Sequence, residues 1–165
     1  MDNEDRYASL KPPSPTLADE ICACEESTPI VIKSSLTYNP IACVDCNGEI
    51  APDRLEMSPE LIQAIVSWRY LHDALYALWL DSREFEQWAA DQLLNPNGPA
   101  TTRGLQLCGQ MPSARRCYFW FFQDTNAPDY TPRTTCPVCS GTLEDRKVIK
   151  HRRLCNHCGI LIGDV

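Results

Sequence analysis

Cys136-Pro137-Val138-Cys139 and Cys155-Asn156-His157-Cys158-Gly159, fifteen residues apart, decide how the C-terminal part of this chain folds. Two residues between paired thiols let a knuckle turn place both sulfurs on one ion. The interval is long enough for a β-hairpin, read as Leu143 to Ile149 and Arg152 to Leu154, that brings the second knuckle opposite the first. Four thiolates close a tetrahedral shell and leave no position for water or substrate. The spacing therefore predicts a zinc ribbon with a structural rather than a catalytic Zn2+. Residues 131–165 hold few other large apolar side chains, so this module depends on its metal to fold.

Moving outward, Cys43-Val44-Asp45-Cys46 forms a third pair, with Gly48 expected to supply the tight turn beyond it. Its partners are open. Cys22-Ala23-Cys24 could complete a second Zn2+ site with Cys43 and Cys46. Cys108 and Cys117 could also approach, but nine residues apart they form no knuckle and read as small buried apolar residues. The compartment follows from the same count. Ten cysteines behind a charged opening, Met1-Asp2-Asn3-Glu4-Asp5-Arg6, point to metal ligation in a reducing cytoplasm rather than to disulfides. No run of about 18 apolar residues suggests a membrane span.

The rest reads as an α+β body. With 44% hydrophobic residues in 165, the chain can bury a core without metal. Residues 1–20, acidic and proline-rich, read as a flexible tail; 21–130 as the body carrying the first knuckle; 131–165 as the ribbon. β-Branched residues between Pro29 and Val44 predict one or two short strands. Ser58-Pro59-Glu60 is a helix start, and Leu61, Ile65, Trp68, Leu71, Leu75, Leu78 and Trp79 give one apolar helix face ending near Leu80. Asp81 or Ser82 is expected to cap a second helix with Phe85, Trp88, Ala89 and Leu93 inside. It stops at Asn95-Pro96-Asn97-Gly98-Pro99, and a third helix covers Thr102 to Gln110. Arg116 to Gln123 reads as a buried aromatic strand, and Asn126 to Pro132 as a linker into the ribbon.

Charge narrows the function classes. The net charge is −7: residues 1–39 carry −4, residues 40–130 carry −6, and residues 131–165 carry +3 before four thiolates and Zn2+ remove two of those charges. A protein built to grip phosphates is normally more basic. Lys147, Lys150, Arg152 and Arg153, with His151, form the one nucleic-acid-like stretch, and equally an ordinary solvated hairpin edge. His157 sits in a knuckle already filled by cysteines, and His72 reads as a core-edge or surface residue of the long helix. No phosphate loop, nucleophile elbow, His-Glu-x-x-His or deaminase signature is present, so a non-enzymatic role is expected. Asp73, Asp81, Glu84, Glu86 and Asp91 read as an exposed acidic helix face.

Asn39-Pro40-Ile41-Ala42-Cys43-Val44-Asp45-Cys46, Trp68 with Tyr70, Arg103-Gly104, Tyr118-Phe119-Trp120-Phe121, the paired C-terminal knuckles and Leu161 carry a resemblance. In order and spacing over roughly 130 residues, the chain resembles a bacterial family of zinc-ribbon proteins of unknown function, labelled as nucleic-acid-binding. It departs after Asn47, where the family carries an aromatic, proline-rich stretch and this chain has Gly48-Glu49-Ile50-Ala51-Pro52. The resemblance implies zinc and allows nucleic-acid contact, but a ribbon serves protein contacts equally well. The charge distribution favours an acidic module for a protein partner. The expectation is an immunity or antitoxin-type protein that occludes a basic toxin, such as a nuclease, using aromatic anchors of the Trp79–Trp88 region. The alternative is a nucleic-acid-binding or transcription-associated ribbon.

Overall fold

A computed structural model describes residues 5–34, 36–146 and 151–163. Its described residues form a six-stranded mixed sheet with three α-helices, an α+β architecture as the sequence suggested. The strands are β1 (Ile30–Ile32), β2 (Ile41–Cys43), β3 (Cys117–Trp120), β4 (Glu144–Asp145), β5 (Arg153–Cys155) and β6 (Ile160–Ile162). The helices are α1 (Pro59–Asp81), α2 (Glu86–Leu93) and α3 (Pro99–Gln110). Sheet order is β2-β1-β3-β6-β5-β4. β3 is parallel to both β1 and β6, and the outer pairings are antiparallel. No described helix is long and apolar enough to cross a membrane.

The sheet does not stop where the composition changes. Phe119 pairs with Ile160, and Trp120 with Leu161, so the C-terminal strands continue the body sheet edge to edge. Alternate side chains of the strands enter two buried clusters. Ile30, Ile32, Phe119, Phe121, Ile160 and Ile162 join one, while Val31, Tyr118, Trp120, Phe122 and Leu161 join the other.

α1 begins as its sequence dictates. Ser58 Oγ accepts the Leu61 amide at 3.2 Å, with Pro59 in the first turn. Trp68 packs edge-on against Phe119 at 5.9 Å and donates its indole N–H to Ala100 O at 2.8 Å, tying α1 to α3. α3 lies close over β3 because residue 104 is glycine: a Cβ there would come within 2.3 Å of the Phe119 ring.

Four details differ from the sequence reading. The buried stripe of α1 includes Arg69 and His72 and leaves Leu71, Leu78 and Trp79 half-buried. Arg69 is tolerated because it donates to Ser9 O and Tyr38 O. α2 starts later than expected and buries Ala89, Ala90 and Leu93, so Phe85 and Trp88 are 54% and 52% exposed. Ser82 caps the C-terminus of α1 instead of opening α2. The Arg83 amide finds the Glu86 carboxylate at 2.9 Å in the left-handed turn between them. Within residues 1–20, Tyr7 and Leu10 are buried, and Tyr7 donates its hydroxyl to Leu55 O at 2.8 Å. The expected hairpin appears as the short β4–β5 pair, while Lys147, Val148, Ile149 and Lys150 lie outside the described residues.

Candidate metal centres

Strand register brings Cys43, Cys117 and Cys155 to one end of the sheet. Cys43 ends β2 opposite Ile30, Ile30 lies beside Cys117, and Cys155 ends β5 opposite Ile160. Cys22 reaches Cys43 because the Cys22 amide donates to Glu49 O at 2.8 Å, while Glu49 bridges to Ala42. Two groups result: Cys22, Cys24, Cys43 and Cys46, and Cys136, Cys139, Cys155 and Cys158. Within each, all ligand sulfurs lie within 4.8 Å of one another, so either group could hold a metal ion. A tetrahedral ion with metal–sulfur bonds near 2.3 Å separates its sulfurs by about 3.8 Å. Cys139 and Cys155 Sγ stand 3.7 Å apart. The structure thus gathers every cysteine read as a ligand, and resolves the open choice in favour of Cys22 and Cys24. Cys117 is buried beside Cys108, outside both groups. Burial, then the neighbouring Cys108 thiol, raises its pKa well above the ordinary range.

Three of the four cysteine pairs share one backbone turn. The residue after the second thiol is left-handed each time: Asn47 at φ 63°, Ser140 at 61° and Gly159 at 70°. Its amide returns to the carbonyl of the first cysteine, Asn47 N to Cys43 O at 3.1 Å, Ser140 N to Cys136 O at 2.9 Å and Gly159 N to Cys155 O at 2.9 Å. The expected turn role of Gly48 is therefore taken by Asn47. Gly48 is needed for another reason, since a Cβ on it would lie 2.9 Å from the Cys22 backbone nitrogen. Cys22-Ala23-Cys24 has no such turn. It is held by Arg54, which donates to Cys22 O at 2.5 Å and Cys24 O at 2.8 Å.

Backbone amides point at the sulfurs: Cys24 N to Cys22, Asp45 N to Cys43, Gly48 N to Cys46, Val138 N to Cys136 and Cys158 N to Cys155, all between 3.3 and 3.4 Å. Such donors stabilise thiolate. The Gly141 amide, then the Cys158 thiol, bring Cys139 down to about 7. Burial holds Cys43 up at about 11, and burial followed by the Cys139 thiol raises Cys158. Metal binding to either group requires its thiols to be deprotonated, so binding releases protons and depends on pH.

Arginines surround these groups, and no local pattern signals their role because each contact is long-range. Arg146 grips the Asp45 carboxylate through Nε at 2.9 Å and Nη2 at 2.6 Å. Arg152, 1% exposed, donates to Val44 O at 2.5 Å and Asn47 Oδ1 at 2.9 Å. Both come from the C-terminal hairpin and hold the N-terminal knuckle. Arg115 is buried, with neither Nη atom partnered among the described residues. The expected basic surface is reduced accordingly: Arg152 is internal, Arg153 pairs with Asp145 at 3.0 Å, and Lys147 and Lys150 lie outside the described residues.

No protein family, characterised protein or solved structure matches this chain. Its reading therefore rests on the two cysteine groups and the surface. His72, expected at the core edge or surface of the long helix, is 1% exposed. It is buried among Trp68, Tyr76 and Trp120, and burial brings its pKa down to about 4. That is a neutral core side chain. His157, exposed within the Cys155–Cys158 turn, belongs to neither sulfur group.

Proposed function

We propose that this protein is a non-enzymatic, cytoplasmic protein-interaction module, stapled by one structural Zn2+ in each cysteine group, that docks on a basic protein through the corner between α1 and α2. Zinc is the ion whose tetrahedral thiolate chemistry fits both donor sets. It has no open coordination position in either site and serves the fold alone.

The observation that carries the docking reading is the composition of that corner. Leu80, Phe85 and Trp88 are each more than half exposed, amid Asp81, Glu84 and Asp91 with Arg83 as the local base. Large apolar side chains left in water mark contact surfaces, and aromatic anchors ringed by charge are what interface hot spots are made of. The neighbouring Trp79 and Tyr76 rings are fixed against Phe122, at 4.8 and 6.2 Å, so the anchors rise from a rigid base. An acidic rim favours a cationic partner and speeds its capture. An immunity-type protein occluding the basic groove of a nuclease toxin has this chemistry.

The test is affinity capture from the native host after nuclease treatment, run in parallel with a Trp88→Ala, Phe85→Ala double variant. A basic protein held stoichiometrically by the wild type and released by the variant is the expected result. Recovery of nucleic acid before nuclease treatment and of nothing afterwards overturns the proposal.

A further inference from the structure

At the end of the sheet away from the cysteine groups, past Trp120 and Ile162 and before Arg153, lies a cavity of about 330 Å³. Arg133, Arg153, His151, Gln123, Tyr130 and Thr125 line it. On a chain of net charge −7 this concentration of donors stands out. Arg153 is held in place by Nε on Asp145 Oδ1 at 3.0 Å and Nη1 on Arg133 O at 2.6 Å, which leaves Nη2 without a hydrogen bond among the described residues. Arg133 makes no side-chain hydrogen bond or ion pair among them, and its guanidinium lies 5.8 Å from the Phe121 ring centre. Gln123 is 8% exposed, with its amide oxygen occupied by the Tyr130 hydroxyl at 3.0 Å, so its free capacity is a donor as well. The nearby Gly163 carbonyl is already taken by the Trp120 indole at 3.0 Å. The lining therefore offers hydrogen to a ligand and little that accepts it.

The geometry points to a binding site for a small phosphate monoester. Guanidinium groups match phosphate oxygens in shape and charge, and a buried glutamine amide adds a neutral donor. The neighbouring cavity, about 510 Å³, shares Gln123, Tyr130 and Arg133 with the first and adds Asp124, Asp129, Thr131 and Thr134. Its carboxylates repel a second anion but accept hydrogen bonds from hydroxyls. A ligand spanning both cavities is thus anionic at one end and hydroxylated at the other, as a sugar phosphate is. This site shares no residue with the α1–α2 corner or the cysteine groups.

Calorimetry on the full zinc-loaded chain at fixed ionic strength tests this with ribose 5-phosphate, inorganic phosphate and ribose as probes. Ribose 5-phosphate is expected to saturate one site, inorganic phosphate to bind more weakly, and ribose not to bind. Arg133→Gln should weaken ribose 5-phosphate by about tenfold or more, the loss of one charged hydrogen-bond donor. It should leave the melting temperature nearly unchanged, because among the described residues the Arg133 side chain makes no hydrogen bond or ion pair and only a 5.8 Å contact with the Phe121 ring. Gln123→Glu, similar in shape but anionic, should weaken it further. Absence of saturable binding at millimolar ligand overturns the site, as does wild-type affinity in Arg133→Gln. Equal affinity for inorganic phosphate and ribose 5-phosphate overturns the monoester assignment.

Discussion

The two cysteine groups have the same ligands and opposite surroundings. Around Cys22, Cys24, Cys43 and Cys46 the chain supplies Ile30, Val31, Ile32, Ile41, Val44 and Ile50, all buried, and the sulfurs are added to a sheet that has its own reasons to form. In the other group, the arm of the first knuckle, residues 131 to 146, buries only Cys136 and Leu143, whereas the second knuckle is flanked by the buried Leu154, Ile160, Leu161 and Ile162 of the sheet. One ion would pin an arm to an existing core, and the other would create the order of its own segment. Metal contributes most where burial contributes least. Yet the groups are not independent, since β6 completes the body sheet and Arg146 and Arg152 hold the first knuckle from the second module.

That asymmetry is sharpest in cysteine replacements. Cys155→Ser removes a buried ligand from the group that holds the arm of residues 131–146. Structural Zn2+ contributes roughly 10–16 kcal/mol to small domains, comparable with the whole of a domain's stability. We expect loss of both ions by elemental analysis and a broad, lowered melting transition by circular dichroism. Cys46→Ser removes an exposed ligand from the other group and should release one ion while the helical signal persists. If both variants keep one ion and melt alike, the comparison fails.

Next in size is Arg152→Met. It removes the Arg152 donor from the buried Val44 carbonyl, while the exposed Asn47 Oδ1 keeps Lys33 Nζ at 2.7 Å. The expected cost is about 1–3 kcal/mol by denaturant titration, from one buried carbonyl left unsatisfied. Although residue 152 adjoins Cys155 in sequence, competition with a zinc chelator should show the larger loss of affinity at the Cys22–Cys46 group. A larger loss at the Cys136–Cys158 group would break the proposed coupling.

How much of this was legible follows from the range of each interaction. The grouping of the four C-terminal cysteines, the start of α1, the stop at Asn95–Pro99 and the aromatic strand are written in spacing within a few tens of residues, and the structure has each of these elements in place. The choice of Cys22 and Cys24 as partners of Cys43 and Cys46 needed the Glu49 bridge to Ala42, which periodicity does not reveal. Spacing puts Phe85 and Trp88 on one helix face with Ala89 and Leu93, yet only the last two are buried. A left-handed Arg83 moved the start of α2 and turned the first two outward. Arg152 looked like a surface base because nothing local indicates that a carbonyl 108 residues away requires it. The division into body and ribbon followed composition, whereas strand pairing ignored it.

Glycine substitutions probe the comparison at smaller scale. Gly48 and Gly141 occupy equivalent places, each accepting at its carbonyl the amide N–H of the first cysteine of its pair. A Cβ at Gly48 meets backbone of the Cys22 arm at 2.9 Å, while one at Gly141 meets only the Cys139 sulfur at 3.4 Å. Gly48→Ala should cost about 1–3 kcal/mol, the usual price of overpacking, and weaken zinc at its own group alone. Gly141→Ala should stay within about 0.5 kcal/mol, as an exposed site allows. Equal effects in thermal melts would mean that the arm is freer than its packing suggests.

The smallest effect is expected at Arg146 and Asp45, the ion pair nearest the surface between the two groups. Both side chains are partly exposed, 31% and 22%, so solvent screens them and the pair should contribute about 0.2–1 kcal/mol. A double-mutant cycle with Arg146→Met and Asp45→Asn isolates that term, and repeating it at high salt should reduce it further. Its value lies in what it separates. If Arg152→Met weakens the first group strongly and this cycle is nearly silent, the modules communicate through buried hydrogen bonds to the knuckle backbone and not through surface charge. A coupling above about 2 kcal/mol that survives salt would place the link in the ion pair instead.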